Sequence, residues 1–330
     1  MASEPAGDPL VADLSEGDVL RAILARTATA SASIIGPGDD AAVIAAPSGS
    51  VVATTDTLVE GPDFRLAWSS GFDLGWKAAA VNLADVAAMG ATPTALLVAL
   101  AVPRSIRLSY ITDMADGFRE ACAALAPGCA VVGGDLTVSD VLTVAVTALG
   151  DLGGRAPVTR SGARPGDVVA VAGEMGLAAA GLAVLFGRFR DGEHAVPVDR
   201  SVLDAADRRA LDVQLRPAPP IGLGVSAAAA GVTAMMDISD GLALDATRLA
   251  RASGVTVSLD GAALGAHPRR ALAGGEDHAL LATFPPGVMP SGFRQVGVVV
   301  EAGDRPLLCD GEPVDPSGWD PYRDWDATVS

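Results

Sequence analysis

Six short segments put carboxylates at the ends of apolar stretches. They are Gly38-Asp39-Asp40, Thr54-Thr55-Asp56-Thr57, Asn82-Leu83-Ala84-Asp85, Gly133-Gly134-Asp135, Met236-Asp237-Ile238-Ser239-Asp240-Gly241 and Gly274-Gly275-Glu276-Asp277. A carboxylate at the mouth of a buried strand loses hydration and is costly unless it is paired or bound to metal. Lys77 is the only lysine of the chain, and arginines are sparse beside these segments. Hard divalent cations are the natural alternative: Mg²⁺ takes oxygen ligands and keeps water and phosphate in its shell. The hydroxyls of Thr54, Thr55 and Ser239 add neutral oxygen donors. Taken singly, each segment has an ordinary reading. Gly-Asp-Asp suits a turn, Asp237 and Asp240 suit the start of the following helix, and Asp85 could serve structure within its apolar surroundings. Taken together, six solvated turns have no reason to share one format.

Two further features bear on phosphate chemistry. Gly133-Gly134 and Gly274-Gly275 allow backbone amides to approach a ligand closely. Arg160, in Thr159-Arg160-Ser161-Gly162, offers a guanidinium fork for phosphate, although a solvated linker arginine reads the same way. Lys77 is preceded by Gly75-Trp76, so no G-x-x-x-x-G-K-[ST] loop exists,. With 23 Lys+Arg against 40 Asp+Glu and a net charge of −17, the chain lacks the basic footprint of a nucleic-acid binder. Cys122, Cys129 and Cys309 form no C-x-x-C, and His194, His267 and His278 have no ligand-like spacing,. No leader-like N-terminus and no apolar run of membrane-spanning length is evident, so a soluble cytoplasmic protein is expected, with no membrane partner.

The elements that must position these groups alternate. A helix is expected from Glu16 to Arg26, with Ser15 and Asp18 as a capping box. Strands follow over Ala41–Ala46 and Val51–Thr57, then a helix from about Phe72 to Met89 closed by Gly90. Leu96–Val102 reads as a buried strand and Tyr110–Leu125 as a helix. Ala130–Val132 and Val141–Leu149 read as strands around a Gly133-Gly134-Asp135 turn. Composition shifts over Asp151–Asp167, which places a domain boundary near residue 150. Beyond it the alternation resumes: strand Val168–Ala172, helix Leu177–Phe186, a surface loop over 188–200, helices Pro220–Ala230 and Leu242–Ala252, and strands Met235–Asp237, Thr256–Leu259, Ala279–Phe284 and Val296–Val300. This predicts an α/β (α+β) protein of two domains, 1–150 and 151–330.

In this order the segments resemble the thiamine-monophosphate kinase family, part of the ATP-dependent superfamily that includes aminoimidazole ribonucleotide synthetase and selenophosphate synthetase. The matching stretches are GPGDDAAV (36–43), TTDTLVEG (54–61), KAAAVNLADVAAMGATP (77–93), GGD (133–135), TRSGARPGD (159–167), MDISDGL (236–242) and GGEDHALL (274–281). They span nearly the whole chain. The resemblance implies an N-terminal domain that pairs with its twin in a homodimer, building a β-barrel across the interface, and a cleft for ATP between domains and subunits. The implied reaction moves the γ-phosphoryl group of ATP onto thiamine monophosphate. It implies Mg²⁺ ligands at Asp40, Thr54, Thr55, Asp56, Asp85, Asp135, Asp237 and Asp240, with Asp40, Asp56, Asp85 and Asp237 central to catalysis. It further implies nucleotide contacts at Gly134, Asp135, Arg160 and Ser239, and substrate contacts at Glu276 and Trp319. The family commonly has a histidine where this chain has Asp63, and another near Trp319-Asp320-Pro321-Tyr322; both are absent, and Asp63 is expected to meet the substrate instead. Two other readings stand beside this one: a sibling enzyme of the superfamily, and a non-catalytic protein that binds divalent cations.

Overall fold

The computed structural model describes residues 8–35, 43–316 and 318. The Gly36–Asp40 turn with Asp40, and Trp319, lie outside these residues. Helix α1 (Glu16–Leu24) opens on the expected box: Ser15 Oγ accepts the Asp18 amide at 3.2 Å, and the Asp18 carboxylate accepts the Ser15 amide at 3.3 Å,. Strands β1 (Ser33–Ile35) and β2 (Val43–Ile44) pair briefly. Then come β3 (Val52–Val59), α2 (Gly71–Ala88), β4 (Thr92–Val102), α3 (Leu108–Leu125), β5 (Val131–Val138) and β6 (Thr143–Asp151). They form a four-stranded sheet in the order β3-β6-β4-β5, in which the β4–β5 pair is parallel.

The period of two sorts the faces of this sheet. Leu96, Val98, Leu100, Val144, Val146 and Ala148 are buried in one core with α2 and α3. Thr55, Thr57, Leu97 and Ala99 lie exposed on the opposite face. Helix α2 begins at a Ser70–Asp73 capping box and is apolar on nearly every side, the pattern of a helix covered all round. It crosses α3 closely: a Cβ on Gly75 would fall 2.0 Å from the Met114 carbonyl oxygen, and one on Gly117 2.2 Å from that of Phe72.

The C-terminal half contains β7 (Val168–Ala172), α4 (Leu177–Arg188), β8 (Arg190–Asp191), β9 (His194–Ala195), α5 (Ala205–Leu215), α6 (Ile221–Ala230), β10 (Ala234–Asp237), α7 (Leu242–Ser253), β11 (Thr256–Leu259), α8 (Pro268–Ala273), β12 (Leu280–Phe284), β13 (Arg294–Val300), β14 (Leu307–Cys309) and β15 (Glu312–Pro313). Its mixed seven-stranded sheet runs β10-β12-β7-β13-β11-β14-β15. The halves share packing. Ile221 of α6 is buried in the same cluster as Ala87 of α2, Trp76 Nε1 donates to the Pro217 carbonyl at 2.8 Å, and Trp68 Nε1 donates to the Phe189 carbonyl at 3.0 Å. The architecture is α+β with N- and C-terminal domains. Among the described residues no helix is long and apolar enough to cross a membrane.

Three local expectations need correction. Gly133-Gly134-Asp135 is not a turn: β5 runs straight through it. Gly134 lies so close to β4 that a Cβ would fall 1.8 Å from the Val98 carbonyl oxygen, so this glycine marks a close approach of backbones. Residues 188–200 are not plain loop but hold the β8–β9 hairpin. Helix α5 was not expected, because its mixed charges hide the apolar face formed by Ala210, Leu211 and Leu215; Asp204 caps it.

Candidate active site

Strand β3 turns Thr54 and Asp56 toward α2, since alternate residues share a face. Behind them, Thr54 Oγ1 donates to Asp85 Oδ2 at 2.7 Å. The Asp56 amide donates to Asn82 Oδ1 at 3.1 Å, and Asn82 Nδ2 in turn donates to the Ala78 carbonyl at 3.0 Å. Asp237, at the end of β10, completes the group from the other domain; it is buried, and His278 Nδ1 lies 3.2 Å from its Oδ2. Burial, the charge of Asp237 and that of Asp56 push the Asp85 carboxyl up to about 7, against the Thr54 hydrogen bond and His278. Asp56 is raised too, by burial and by Asp237 and Asp240, against His278 and a hydrogen bond with Asp85. Burial lowers the affinity of His278 for a proton, but its hydrogen bond to Asp237 and the charges of Asp237 and Glu276 prevail and raise its pKa.

A cavity of about 820 Å³ lies alongside. Its lining includes Asp63, Lys77, Ser239, Asp240 and Glu276, together with an aromatic end at Trp68 and Phe186. Lys77 is buried and its Nζ lies 2.8 Å from Glu276 Oε1; Glu276 presents about a third of its side chain to the open cavity, 36%. Burial opposes ionisation of Glu276, but the charge and hydrogen bond of Lys77 and the Gln214 amide outweigh it, holding the carboxyl below its ordinary range. The neighbouring Asp277 faces away and accepts the Gly176 and Ala178 amides at 2.7 and 2.8 Å, capping α4. Asp63 Oδ2 accepts the Val59 amide at 2.8 Å where β3 ends. Burial raises its pKa, while that hydrogen bond and Lys77 pull it down.

The loop before α7 is held from within. Asp245 is fully buried and accepts the amides of Ser239 and Asp240 at 3.0 and 3.1 Å. Arg248 Nη1 reaches Asp240 Oδ2 at 2.5 Å and Asp245 Oδ1 at 2.7 Å. Burial lifts Asp245 to about 6 despite these bonds.

Of the predicted residues, Thr54, Asp56, Asp85 and Asp237 come together, and Ser239, Asp240, Asp63 and Glu276 line the adjoining cavity. Thr55 does not join them within this chain: it points to the opposite face, where its hydroxyl donates to the Val146 carbonyl at 2.9 Å. Gly134 and Asp135 are exposed on β5 and line a different cavity of about 700 Å³, which shares no lining residue with the first. Arg160 is exposed in the linker, its carbonyl accepting Ser253 Oγ at 3.3 Å. Asp40 and Trp319 fall outside the described residues. Five residues of the group were not singled out from sequence for roles here: Lys77, Asn82, Asp245, Arg248 and His278. Sequence proximity alone left the acids without arginine partners and the histidines unplaced; Arg248 and His278 correct both points. His278 meets Asp237 because β10 and β12 pair Asp237 with Leu280, a signal that needs the sheet register.

The donor set suits Mg²⁺. It is all oxygen, and burial, joined by the charge of neighbouring carboxylates, raises Asp56 and Asp85 above the ordinary carboxylate range. Among the described residues no three His, Cys, Asp or Glu side chains could hold a metal alone. Mg²⁺ characteristically takes one or two carboxylates and fills its shell with water and substrate phosphates.

Residues 38–152 match the AIR synthase related protein, N-terminal domain, and residues 164–290 match the C-terminal domain of the same family. The class defined by this fold is thus the AIR synthase related proteins. A thiamine-monophosphate kinase of Mycobacterium tuberculosis is 39% identical, over 96% of this chain and 92% of the relative. The solved thiamine-monophosphate kinase of Stenotrophomonas maltophilia superposes with a TM-score of 0.76 at 31% identity, covering 91% and 98% of the two chains. A structure of AaThiL complexed with AMPPCP and TMP superposes with a TM-score of 0.73 at 30% identity, covering 95% and 99%. Within its class, the chain belongs to the thiamine-monophosphate kinase family.

Proposed function

We propose that this chain transfers the γ-phosphoryl group of ATP to the phosphate of thiamine monophosphate, giving thiamine diphosphate and ADP by direct in-line displacement. The observation that carries this reading is the group of Asp56, Asp85 and Asp237, drawn from two domains, relieved in part by His278 and set beside a cavity of about 820 Å³. Its membership of a kinase family, and a relative complexed with AMPPCP, an ATP analogue, and TMP, support the two substrates.

Mg²⁺, when bound, neutralises the approaching phosphates and stabilises charge on the transferring group. One or two of Asp56, Asp85 and Asp237 would hold each ion, the rest of its shell coming from water and phosphate, with Thr54 fixing the Asp85 carboxylate and Asn82 fixing the strand at Asp56. A phosphate monoester is already largely ionised at pH 7, so the acceptor needs no general base. His278 accordingly serves by orienting Asp237. The Asp245-braced loop keeps Ser239 and Asp240 in place at the cavity wall, and Glu276 and Asp63 face the cationic thiazolium ring of the acceptor.

Several finer points belong to the same proposal. Residues 1–150 form the nucleotide, metal and dimerisation domain, and 151–330 complete the nucleotide and substrate site. Thr55, Gly134 and Asp135 lie on or beside the open face of the first sheet, where a second copy would close a barrel and bring them into use. Asp40, Arg160 and Trp319 retain their expected roles as metal, nucleotide and substrate contacts, and the cytoplasm is the expected compartment. The test is ADP release in Mg²⁺ with and without thiamine monophosphate, with chromatography of the product. Acceptor-dependent ADP matched mole for mole by thiamine diphosphate is expected; ATP turnover indifferent to the acceptor would overturn the assignment.

A further inference from the structure

The far end of the large cavity carries two arginines that the reaction chemistry does not use. Arg65 Cζ lies 4.6 Å from the ring centroid of Trp68 and 4.9 Å from that of Phe186, and Arg190 Cζ lies 5.4 Å from Phe186. The two rings meet edge to face at 5.0 Å. Neither guanidinium has an ion-pair partner among the described residues, although Glu193 also lines the cavity. Arg190 Nε is buried with no hydrogen-bond partner. Such donors are normally satisfied. In a chain of net charge −17, two unpaired arginines against one aromatic pair form a built feature that awaits an acceptor.

The cavity is ordered by charge. The charges acting on Asp63 are Lys77 and Glu276, whereas the charge acting on Arg65 is Arg190. One end is therefore acidic with a single lysine, and the other is cationic and aromatic. A guanidinium held by its face on an aromatic ring keeps its N–H edge free for planar acceptors. The phosphate of the acceptor must lie with the carboxylate group, where transfer occurs. Its cationic ring is attracted to Asp63 and Glu276 and repelled by the arginines. What remains for the far end is a neutral, flat, nitrogen-bearing ring.

We propose that Arg65 and Arg190, stacked on Trp68 and Phe186, form the subsite for the aminopyrimidine ring of the acceptor. The arginine N–H groups donate to its ring nitrogens and thereby set the direction in which the substrate enters. This rests on the proposed function for the identity of the acceptor, but its test does not require turnover. Thiamine, which lacks phosphate, and 3,4-dimethyl-5-(2-hydroxyethyl)thiazolium, which keeps the cationic ring but lacks the pyrimidine, are titrated calorimetrically into the full-length protein, the Arg65→Met and Arg190→Met variants, and Arg190→Lys. The wild type is expected to prefer thiamine. Each variant, lysine included, is expected to lose about 10- to 100-fold of that preference, the usual scale for hydrogen bonds from a charged donor. Melting curves confirm that the variants are folded, and the lysine variant separates fork geometry from charge. An unchanged preference, no preference in the wild type, or displacement of thiamine by inorganic phosphate at this end would overturn the proposal. Failure of acceptor-dependent ADP release would instead strike the proposed reaction and leave a positive titration standing.

Discussion

Two acidic regions of this protein lie side by side and are built on opposite principles. Around the cavity wall, acids have cations: Glu276 has Lys77, and Asp240 and Asp245 have Arg248. Between β3, α2 and β10, by contrast, Asp56, Asp85 and Asp237 face one another with a hydroxyl, an amide and one histidine for company. The first arrangement is complete within the chain and holds a shape. The second is relieved only in part, by His278 beside Asp237, and leaves Asp56 and Asp85 raised, so it has room for an outside cation. The difference separates acids that serve the fold from acids kept for a ligand more clearly than their residue types do.

The most forceful way to break this contrast is to neutralise one acid of the incomplete group. Asp85→Asn is expected to lower kcat/KM by at least about 100-fold, the scale for removing one charge-stabilising group from a reacting centre. The same change should stabilise the metal-free protein near pH 8 by roughly 1–4 kcal/mol, since it removes a carboxylate whose ionisation the fold resists. Urea unfolding in EDTA reads the second effect, and a loss of both activity and stability would place Asp85 among the structural acids.

Lys77→Met addresses the complete region and should act in the reverse sense. Breaking a buried ion pair from one side typically costs about 3–5 kcal/mol, and the opening of Glu276 to the cavity puts the expected loss toward the lower end. Adding Glu276→Gln should recover much of it in the same unfolding experiment. If the single substitution were neutral, the pair would not be holding the cavity wall.

The pH dependence sharpens the contrast further. Asp85 has a folded pKa above its unfolded value, so folding favours its protonated form. In EDTA this contribution is present at low pH and is lost as pH rises from about 4 through about 7,. The difference in melting temperature between wild type and Asp85→Asn should therefore widen across that window and shrink when Mg²⁺ is added. A difference flat with pH would contradict the picture. The smallest effect is expected at the border of the two regions. Asp63→His removes the Val59 amide acceptor and restores the residue type usual in the family, and it should shift KM for thiamine monophosphate more than kcat. A substrate titration with unchanged KM would deny Asp63 a place in the acceptor pocket.

The sequence made the alternation of elements readable because Ser15 and Gly90 punctuate it where one helix begins and another ends. It also made the acids readable as a set. The pairing of those acids was hidden because it depends on register and on helix packing. His278 reaches Asp237 through the β10–β12 ladder, and Arg248 reaches Asp240 by folding back along α7 onto its own entry loop. Gly133-Gly134 misled for a related reason: glycine marks both a turn and a place where two backbones nearly touch, and only the neighbour strand decides which. The alternation within Thr54-Thr55-Asp56 was in principle legible, since a strand cannot aim consecutive residues at one site, and it explains why Thr55 stands apart.

Helix α2 has a consequence beyond the chemistry it carries. Its buried length is covered by the first sheet and α3 on one flank and reached by α6 from the other half of the chain. A cut near residue 150 would strip that second cover and leave a greasy rod facing water. The halves should accordingly melt in one cooperative transition, and neither should survive as an autonomous fragment.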